Sequence, residues 1–514
     1  MNGAECVVRT LTAGGVDVCF ANPGTSEMAL VAALDRTPGM RCILGLFEGV
    51  VTGAADGYAR MAGKPVATLL HCGPGLANGL ANLHNAKRAR SQIVNIVGDQ
   101  ATYHRSYNPP LASDVEATAR PFCHWVRTAW SVESVGQETA MAIAAARSWP
   151  GHTATLIVPA DVAWAEGASV RAIAPSAAPS PVPGEPIERV IAILKSGEPT
   201  ALLMAGEATL EGGLRHAGRI SRATGARLFG QMFNTRLARG RHVPAIERVP
   251  YAVDEALKAL GGLRHVILVG APSPVAFFAY PGRPSSLLPE ACEVTVLAGE
   301  NESVLEALEA VAGEFPDGAD EIDQTASPPT PATGALTPDG IAQSLGALLP
   351  DGAVVVDESL TSGRNLFPFT DNASPHDWLQ LTGGAIGIGI PLATGAAVAC
   401  PDRRVVCLQA DGSGMYTVQG LWTQARENLN VTTVIYANGS YAILRNELAN
   451  LGVAEPGRNA SDMMDLGRPD IDWVSLARGM GVEAERVTTA ERFNDAFRAS
   501  LGKNGPFLIE ADVR

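Results

Sequence analysis

The chain has 514 residues, of which 46% are hydrophobic, and its 39 Lys and Arg against 53 Asp and Glu give a formal net charge of −14. This length exceeds one ordinary hydrophobic core and predicts about three domains. The acidic balance and the lack of any basic run in the sequence argue against a nucleic-acid partner.

The cysteines and the apolar runs indicate the compartment. The eight cysteines include no C-x-x-C pair and fall mostly in apolar stretches. They predict buried free thiols in a reducing compartment, so we expect a cytoplasmic location. The N-terminal MNGAE has neither the basic nor the apolar region of a secretory signal. The longest uncharged apolar run, 379–400, contains Pro391 and several glycines, which predicts a glycine-rich loop and a buried helix rather than a membrane span.

Two segments rich in Pro, Ala, Ser and Thr, 172–186 and 315–338, predict linkers. They divide the chain into predicted domains of residues 1–170, 187–314 and 335–514. In each domain, short apolar strand patterns alternate with glycine-containing loops and helix patterns. This alternation predicts an α/β fold of three doubly wound parallel-sheet domains.

In the first domain, three polar residues follow strand-like runs. Glu48 begins a helix pattern rich in Ala and Gly, where burial would favour a strong hydrogen bond to a ring nitrogen; a helix-start Glu stabilised by the dipole is the alternative. His71 precedes Gly-Pro-Gly and is either a structural hydrogen bonder or a group that exchanges protons near neutral pH. Thr25 follows Asn-Pro-Gly and either caps a helix or contacts a substrate.

Two loops later in the chain have unusual compositions. The loop 98–114 (GDQATYHRSYNPPLASD) is either a solvated surface loop or a contact for an anionic substrate through Tyr103, His104, Arg105 and Tyr107. The segment 269–286 of the middle domain is rich in small and aromatic residues. Its Phe277 and Phe278 either pack in the ordinary way or line a pocket.

In the last domain, Asp411 and Asn438 end two successive strand patterns, 27 residues apart by 438 − 411. The carboxyl ends of parallel strands lie side by side, so we expect both side chains at one edge of a sheet. A carboxylate, a carboxamide oxygen and the nearby carbonyl of Ser440 suit one Mg²⁺ with positions left for phosphate oxygens. Gly412-Ser413-Gly414 would let backbone N–H groups approach a phosphate. The alternative is a strand-end Asp and an Asn-Gly turn with no metal.

These motifs resemble those of thiamine-diphosphate enzymes, in particular the acetolactate synthase and benzoylformate decarboxylase family. In the first domain the resemblance rests on FANPGTSE, FEGVVTGAADGYAR, HCGPGLANGLANLHNA and VPADV. In the last domain it rests on DESLTSGRNLFPF, LTGGAIGIGIPLATGAA, ADGSGMYTVQG and GPFLIEADV. It covers essentially the whole chain. It implies a 2-oxo acid decarboxylase or carboligase that uses thiamine diphosphate and Mg²⁺ and forms at least a homodimer, with a tetramer expected.

The resemblance also implies a role for each matching residue. Glu48 would bond the aminopyrimidine ring nitrogen of the cofactor, and His71 would move protons near the reacting carbon. Ile386 would support the bent cofactor from below, and the carbonyl of Gly384 would accept from its amino group. The metal ligands would be Asp411, Asn438 and the Ser440 carbonyl. Further cofactor contacts would come from Gly412, Ser413, Thr361 and Tyr441. Substrate contacts would come from Thr25, Leu111, Phe277 and Leu444.

Some positions depart from the family pattern. The segment 269–286 lacks the Arg- and Asp-rich character that anchors FAD in some acetolactate synthases, so FAD is not expected. Phe277 or Phe278 stands where benzoylformate decarboxylases have a second histidine, and Leu444 or a neighbour replaces the glutamate of pyruvate decarboxylases. Two other functions stay open: a catalytically silent regulatory subunit, and a dinucleotide-dependent oxidoreductase, although no G-x-G-x-x-G follows a strand pattern.

Overall fold

The computed structural model describes residues 1–316, 329–453 and 455–514, whose strands form three sheets. Apart from one edge strand, the sheets come from successive parts of the chain, and their strands are parallel apart from the pair that this edge strand forms. The predicted class of three parallel-sheet α/β domains is therefore confirmed, whereas the exact boundaries stay a prediction. Within the described residues, no helix combines the length and apolar character needed to cross a membrane.

The first sheet contains strands β1 (Val18–Asn22), β2 (Arg41–Leu44), β3 (Val66–Leu70), β4 (Ile93–Asp99), β5 (Trp125–Thr128) and β6 (Thr153–Pro159). Their order is β2-β1-β3-β4-β6-β5, and all pairs are parallel. Strands β3, β4 and β6 are buried at every position, as expected where helices cover both faces. The helices are α1 (Gly3–Ala13), α2 (Met28–Arg36), α3 (Glu48–Ala62), α4 (Cys72–Arg88), α5 (Val115–Ala119), α6 (Val135–Arg147) and α7 (Ala160–Trp164).

The second sheet contains strands β7 (Thr200–Met204), β8 (Arg227–Gly230), β10 (Glu247–Arg248), β11 (His265–Val269) and β12 (Glu293–Ala298). They are parallel in the order β10-β8-β7-β11-β12. Its helices are α8 (Gly184–Lys195), α9 (Glu211–Thr224), α10 (Val253–Leu260) and α11 (Val304–Gly313). Helix α8 begins inside the segment 172–186 that the sequence predicts as a linker. Residues 317–328 of the second predicted linker lie outside the described residues.

The third sheet contains strands β13 (Ala353–Glu358), β14 (His376–Gln380), β15 (Val405–Ala410), β16 (Val431–Ala437), β17 (Glu483–Val487) and β18 (Phe507–Asp512). A seventh strand, β9 (Leu237–Arg239), completes the order β17-β18-β16-β15-β13-β14-β9. The helices are α12 (Pro338–Leu348), α13 (Leu366–Thr370), α14 (Gly389–Ala399), α15 (Asp411–Gly414), α16 (Gly420–Arg426), α17 (Ala442–Asn450), α18 (Arg458–Met463), α19 (Trp473–Gly479) and α20 (Ala490–Leu501).

Strand β9 belongs to the middle part of the sequence but pairs antiparallel with β14 of the third sheet. Two ion pairs fix it there: Arg236 with Asp377 at 2.7 Å and Arg239 with Asp371 at 2.7 Å. The third sheet therefore carries one antiparallel edge strand that the sequence did not predict.

Helix α3 packs directly on α14, which joins the first and third sheets within one chain. A Cβ placed on Gly57 would lie 2.0 Å from the carbonyl oxygen of Leu392, and one on Gly395 would lie 1.8 Å from that of Ala54. The glycines thus allow the two backbones to touch. Helix α3 ends where Gly63 adopts a left-handed conformation with φ +64.

Candidate active site

The predicted metal ligands lie at neighbouring strand ends. Asp411 follows β15 and Asn438 follows β16, and these strands pair in parallel up to Ala410 and Tyr436. Asp411 is 4% exposed, and its two carboxylate oxygens accept from the backbone N–H of Gly412 at 2.8 Å and of Gly439 at 2.7 Å. The Asn438 side-chain oxygen accepts from the N–H of Ser440 at 2.9 Å.

The electrostatics of this edge suit a cation. Burial raises the pKa of Asp411, and all the hydrogen bonds found for its carboxylate in the described chain come from backbone N–H groups. A buried carboxylate beside a carboxamide oxygen, with no cationic side chain bonded to it there, is a donor set that fits a hard ion such as Mg²⁺.

The predicted phosphate loop is a buried turn. Gly412 and Ser413 belong to the short helix α15, and a Cβ on Gly412 would lie 2.4 Å from the ring of Tyr441. The structure therefore brings Tyr441 against this loop. The Ser413 hydroxyl accepts from Gln409 Nε2 at 2.6 Å. Thr361 lies half-buried in the turn that follows β13, the strand beside β15, so it lies at the same edge of the sheet.

The loop that carries Gly384 and Ile386 connects β14 to α14 and is held by α4. Asn85 donates to the carbonyl of Ala385 at 2.7 Å, and Asn82 donates to that of Gly387 at 3.4 Å. Ile386 is partly buried and packs against the hydrophobic core shared by the first and third sheets.

Phe277 of the middle sequence reaches this loop. Gly384 has φ +79, and a Cβ on it would lie 2.5 Å from the Phe277 ring, so the glycine is required both for its backbone conformation and for this contact. Phe278 packs edge-on against Phe277 at 4.7 Å and is 57% exposed. Of the two phenylalanines left open by the sequence, Phe277 is the one in contact with Gly384.

Glu48 begins α3 and is 9% exposed, in agreement with the predicted burial. Its Oε2 accepts from Asn78 Nδ2 at 3.0 Å, and a Cβ on Gly75 would lie 3.1 Å from its Oε1. Asn78 and Asn82 lie one turn apart on α4, so this helix bonds both Glu48 and the loop before α14 within one chain.

His71 precedes α4, and its Nδ1 lies 2.7 Å from Oε2 of the fully buried Glu27. Glu27 also accepts from the N–H of Gly24 at 2.9 Å and from the Ser26 hydroxyl at 2.5 Å. One atom each from Glu27, His71 and Cys72 lie within 4.8 Å of one another. Because the Ser26 hydroxyl contacts all three, we interpret this group as a hydrogen-bond network rather than a metal centre.

The remaining substrate-site predictions fall on exposed or half-buried positions. Thr25 is exposed at the start of a 3-10 turn that is capped by Glu27 and not by the threonine side chain. Leu111 is half-buried in the loop 98–114, whose Ser113 packs against Gly73 beside His71. Leu444 is 46% exposed on α17.

In the loop 98–114, Tyr103 and Tyr107 are 67% and 78% exposed, which agrees with a solvated surface for these two residues. Arg105 of the same loop instead contacts other residues of the first domain. Its guanidinium lies 3.2 Å from Oδ2 of the buried Asp99 and covers the ring of Trp130 at 5.3 Å.

Among the buried carboxylates that sequence reasoning missed, Glu27 and Glu358 bond to residues around the candidate site. Glu358 ends β13, is 1% exposed and accepts hydrogen bonds from the loop before α14. An acidic residue at the end of an apolar strand is the same signal that identified Asp411, so Glu358 could have been found. Glu27 lies in a turn whose local sequence gives no sign of burial. It is buried in the fold, where Gly98 packs against it.

Comparisons with known proteins find similarity along the whole chain. Residues 1–118 match the family described as "Thiamine pyrophosphate enzyme, N-terminal TPP binding domain", and residues 362–511 match "Thiamine pyrophosphate enzyme, C-terminal TPP binding domain". A Mycobacterium tuberculosis protein named "Putative acetolactate synthase large subunit IlvX" is 55% identical over 100% of this chain and 99% of its own length. The benzoylformate decarboxylase of Pseudomonas aeruginosa is 28% identical over 97% of this chain and 96% of its own length.

A solved structure is similar across the whole chain. The thiamine diphosphate-dependent 4-hydroxybenzoylformate decarboxylase of Rhodococcus jostii RHA1 superimposes with a TM-score of 0.87 at 25% identity. The alignment covers 100% of this chain and 99% of that structure.

Proposed function

Because the chain belongs to the thiamine pyrophosphate enzyme family, we propose that it is a Mg²⁺-dependent 2-oxo acid decarboxylase or carboligase. The observation that carries the proposal is the pairing of β15 with β16, which sets Asp411 beside Asn438 at one sheet edge. The relatives named as acetolactate synthase and benzoylformate decarboxylase support the 2-oxo acid as the class of substrate.

In the proposed site, Asp411, Asn438 and the Ser440 carbonyl hold the metal ion, which in turn binds the diphosphate. Gly412 and Ser413 offer N–H groups to the phosphates, with Thr361 and Tyr441 at the same edge. Thiamine diphosphate, when bound, would supply a carbon nucleophile for the 2-oxo carbonyl and an electron sink for the loss of CO₂. The protein has to bind this group, bend it and control its protons.

Proton control is assigned to Glu48 and His71. Glu48 is buried, so its carboxyl group can form a strong hydrogen bond with the ring nitrogen of the cofactor. His71 is oriented through Nδ1 by Glu27, which leaves Nε2 to give or take a proton at the reacting centre. Ile386 supports the cofactor, and the Gly384 carbonyl accepts from its amino group. Thr25, Leu111, Phe277 and Leu444 border the substrate.

The two possible outcomes differ in the last step. A decarboxylase would deliver a proton to the reacting carbon and release an aldehyde, whereas a carboligase would withhold that proton and admit a second carbonyl substrate. The ordered His71–Glu27 pair favours proton delivery and therefore decarboxylation.

We further propose a homodimer, with a tetramer as the expected assembly, in the cytoplasm and without FAD. Large apolar side chains are exposed on both the first and the third domains, which supports contact with a second copy: Leu46 at 45%, Met28 at 49%, Tyr416 at 53% and Leu451 at 58%.

The test is a screen of purified protein with thiamine diphosphate and Mg²⁺ against pyruvate, benzoylformate and branched 2-oxo acids. Release of CO₂ is measured together with aldehyde and carboligation products. We expect CO₂ release that depends on both the cofactor and the metal. Lack of turnover with all three substrate classes, despite tight cofactor binding, would support the silent-subunit alternative instead.

A further inference from the structure

Glu358 is a buried carboxylate whose two oxygens bind different parts of the third domain. Its Oε1 accepts from the N–H of Gly387 at 2.6 Å, and its Oε2 accepts from the N–H of Gly389 at 2.6 Å. The same Oε2 also accepts from Gln409 Nε2 at 3.1 Å. Burial raises the pKa of Glu358 to about 7, and no Lys, Arg or His is among the hydrogen-bond donors found for it in the described chain.

The two glycine N–H groups belong to the loop that carries Gly384 and Ile386. Their bonds to a single carboxylate fix the end of this loop, because Gly387 and Gly389 flank Ile388 at the start of α14. The loop is held from its other side by Asn82 and Asn85 of α4. It is therefore fixed between a carboxylate of the third domain and a helix of the first.

Gln409 extends the contact to the phosphate loop. Its Nε2 donates to Ser413 Oγ at 2.6 Å as well as to Glu358. Space for this bridge depends on Gly389, since a Cβ there would lie 2.2 Å from Gln409 Oε1. One path of three side chains, Glu358, Gln409 and Ser413, thus connects the two loops.

Capping of α14 alone does not account for this arrangement. A carboxylate at a helix N-terminus is stabilised by the helix dipole and by free N–H groups. The bond to Gln409 lies outside that role. An Asp, Ser or Thr at the N-cap position could cap the helix. Capping therefore does not require a buried carboxylate from the end of β13.

We propose that Glu358 is a positioning residue that couples the loop 384–389 to the loop 411–414, so that both sides of the cofactor site are formed before the cofactor arrives. The inference deepens the proposed function and rests on it for the identity of the cofactor. The coupling itself is a property of the free protein and can be measured without the cofactor.

The experiment compares wild-type protein with Glu358→Gln and with a matched control, Ser500→Ala. Ser500 is buried in the same domain and bonds to Thr432, near the start of β16 and away from the strand end that carries Asn438. Glutamine keeps the size of Glu358 but replaces one acceptor oxygen with a donor. In Glu358→Gln, hydrogen exchange in the cofactor-free protein should become faster in both loops, 384–389 and 411–414. In Ser500→Ala both loops should exchange as in the wild type.

Calorimetric titration with thiamine diphosphate and Mg²⁺ provides the second readout. We expect about 10–100-fold weaker binding in Glu358→Gln, the equivalent of one or two lost bonds to a charged group, and unchanged affinity in Ser500→Ala. Faster exchange confined to 384–389 would reduce Glu358 to a helix cap and overturn the coupling. Equal binding by wild type and Glu358→Gln would overturn it too. If the wild type itself does not bind thiamine diphosphate, the proposed function fails, while the exchange data still decide the coupling.

If Glu358→Gln does not fold, Gln409→Leu tests the coupling instead, because Gln409 is the side chain that connects Glu358 to Ser413. It leaves the bonds from Glu358 to Gly387 and Gly389 in place and removes the bonds of Gln409 to Glu358 and to Ser413. Exchange should then become faster in 411–414 and change little in 384–389. No change in 411–414 would contradict the coupling.

Discussion

Nδ1 of His71 lies 2.7 Å from Oε2 of Glu27, which has no exposed surface. We interpret Glu27 as the acceptor of a proton on Nδ1, an arrangement that would leave Nε2 for exchange with a bound molecule. A Cβ on Gly24 would lie 2.3 Å from the imidazole, so backbone packing also restricts the ring. The contact with Glu27 and the packing of Gly24 thus hold the imidazole at the carboxyl edge of the first sheet, where the proposed function requires a group that exchanges protons.

The first prediction is that His71→Ala lowers kcat for 2-oxo acid turnover by about 10²–10⁴-fold, the usual range for general acid–base assistance. Glu27→Gln should lower kcat in the same direction, because the amide does not fix the tautomer. Affinity for thiamine diphosphate should change little in either variant. Steady-state kinetics, calorimetry and melting temperature are measured in parallel.

Two outcomes would contradict the catalytic role of His71. An unchanged kcat would exclude it directly. A joint loss of melting temperature and cofactor affinity would show instead that the imidazole braces the loop Gly73-Pro74-Gly75.

The second prediction concerns the metal site. Asp411→Ala should abolish Mg²⁺-dependent binding of thiamine diphosphate, because the diphosphate would meet a site that has lost its only proposed carboxylate ligand. Asp402→Ala is the control, since Asp402 is exposed before the other end of β15. Calorimetry with and without Mg²⁺ measures both variants, and tight binding by Asp411→Ala would refute the assignment.

The sequence could predict that Asp411 and Asn438 lie at neighbouring strand ends. Continuous apolar runs show where each strand ends, and parallel pairing brings those ends together. It could not predict that β9 joins the third sheet, since three residues carry no long-range pairing signal. Glu27 was missed for a similar reason. Its burial depends on Gly98, 71 residues away by 98 − 27, where a Cβ would lie 1.8 Å from Glu27 Oε1.

The third prediction is that Glu48→Gln leaves thiamine diphosphate bound but strongly slows exchange of its C2 proton. The amide can still hydrogen-bond the ring nitrogen, but it does not supply the charge that favours the reactive form of the ring. Proton NMR of the bound cofactor in D₂O measures the exchange. A wild-type rate in the variant would show that Glu48 has only the structural role of starting α3.

The fourth prediction tests the contact between the first and third sheets. By helix propensity alone, Gly57→Ala in the middle of α3 should stabilise the protein by about 1 kcal/mol. The added Cβ would lie 2.0 Å from the carbonyl oxygen of Leu392, however, and overpacking of this kind costs about 1–3 kcal/mol. We therefore expect a lower melting temperature. Gly479→Ala is the control, because a Cβ there meets no atom within 4 Å, and it should leave the melting temperature equal or higher.

The fifth prediction concerns the helix that carries Leu444. No residue of α17 is buried, yet Glu447 accepts from the Tyr280 hydroxyl at 2.6 Å and from that of Tyr251 at 3.4 Å. Burial, followed by the bond to Glu447, raises the pKa of Tyr280 to about 12, so this phenol remains a donor at physiological pH.

Because these contacts hold α17 to the middle domain, Glu447→Gln and Tyr280→Phe should each raise KM for the 2-oxo acid severalfold without changing affinity for thiamine diphosphate. The double variant should be no worse than the stronger single one, since both changes break the same bond. Kinetics of the four proteins form a double-mutant cycle. Strictly additive effects would mean that the two residues act separately and that Glu447 does not hold α17 through Tyr280.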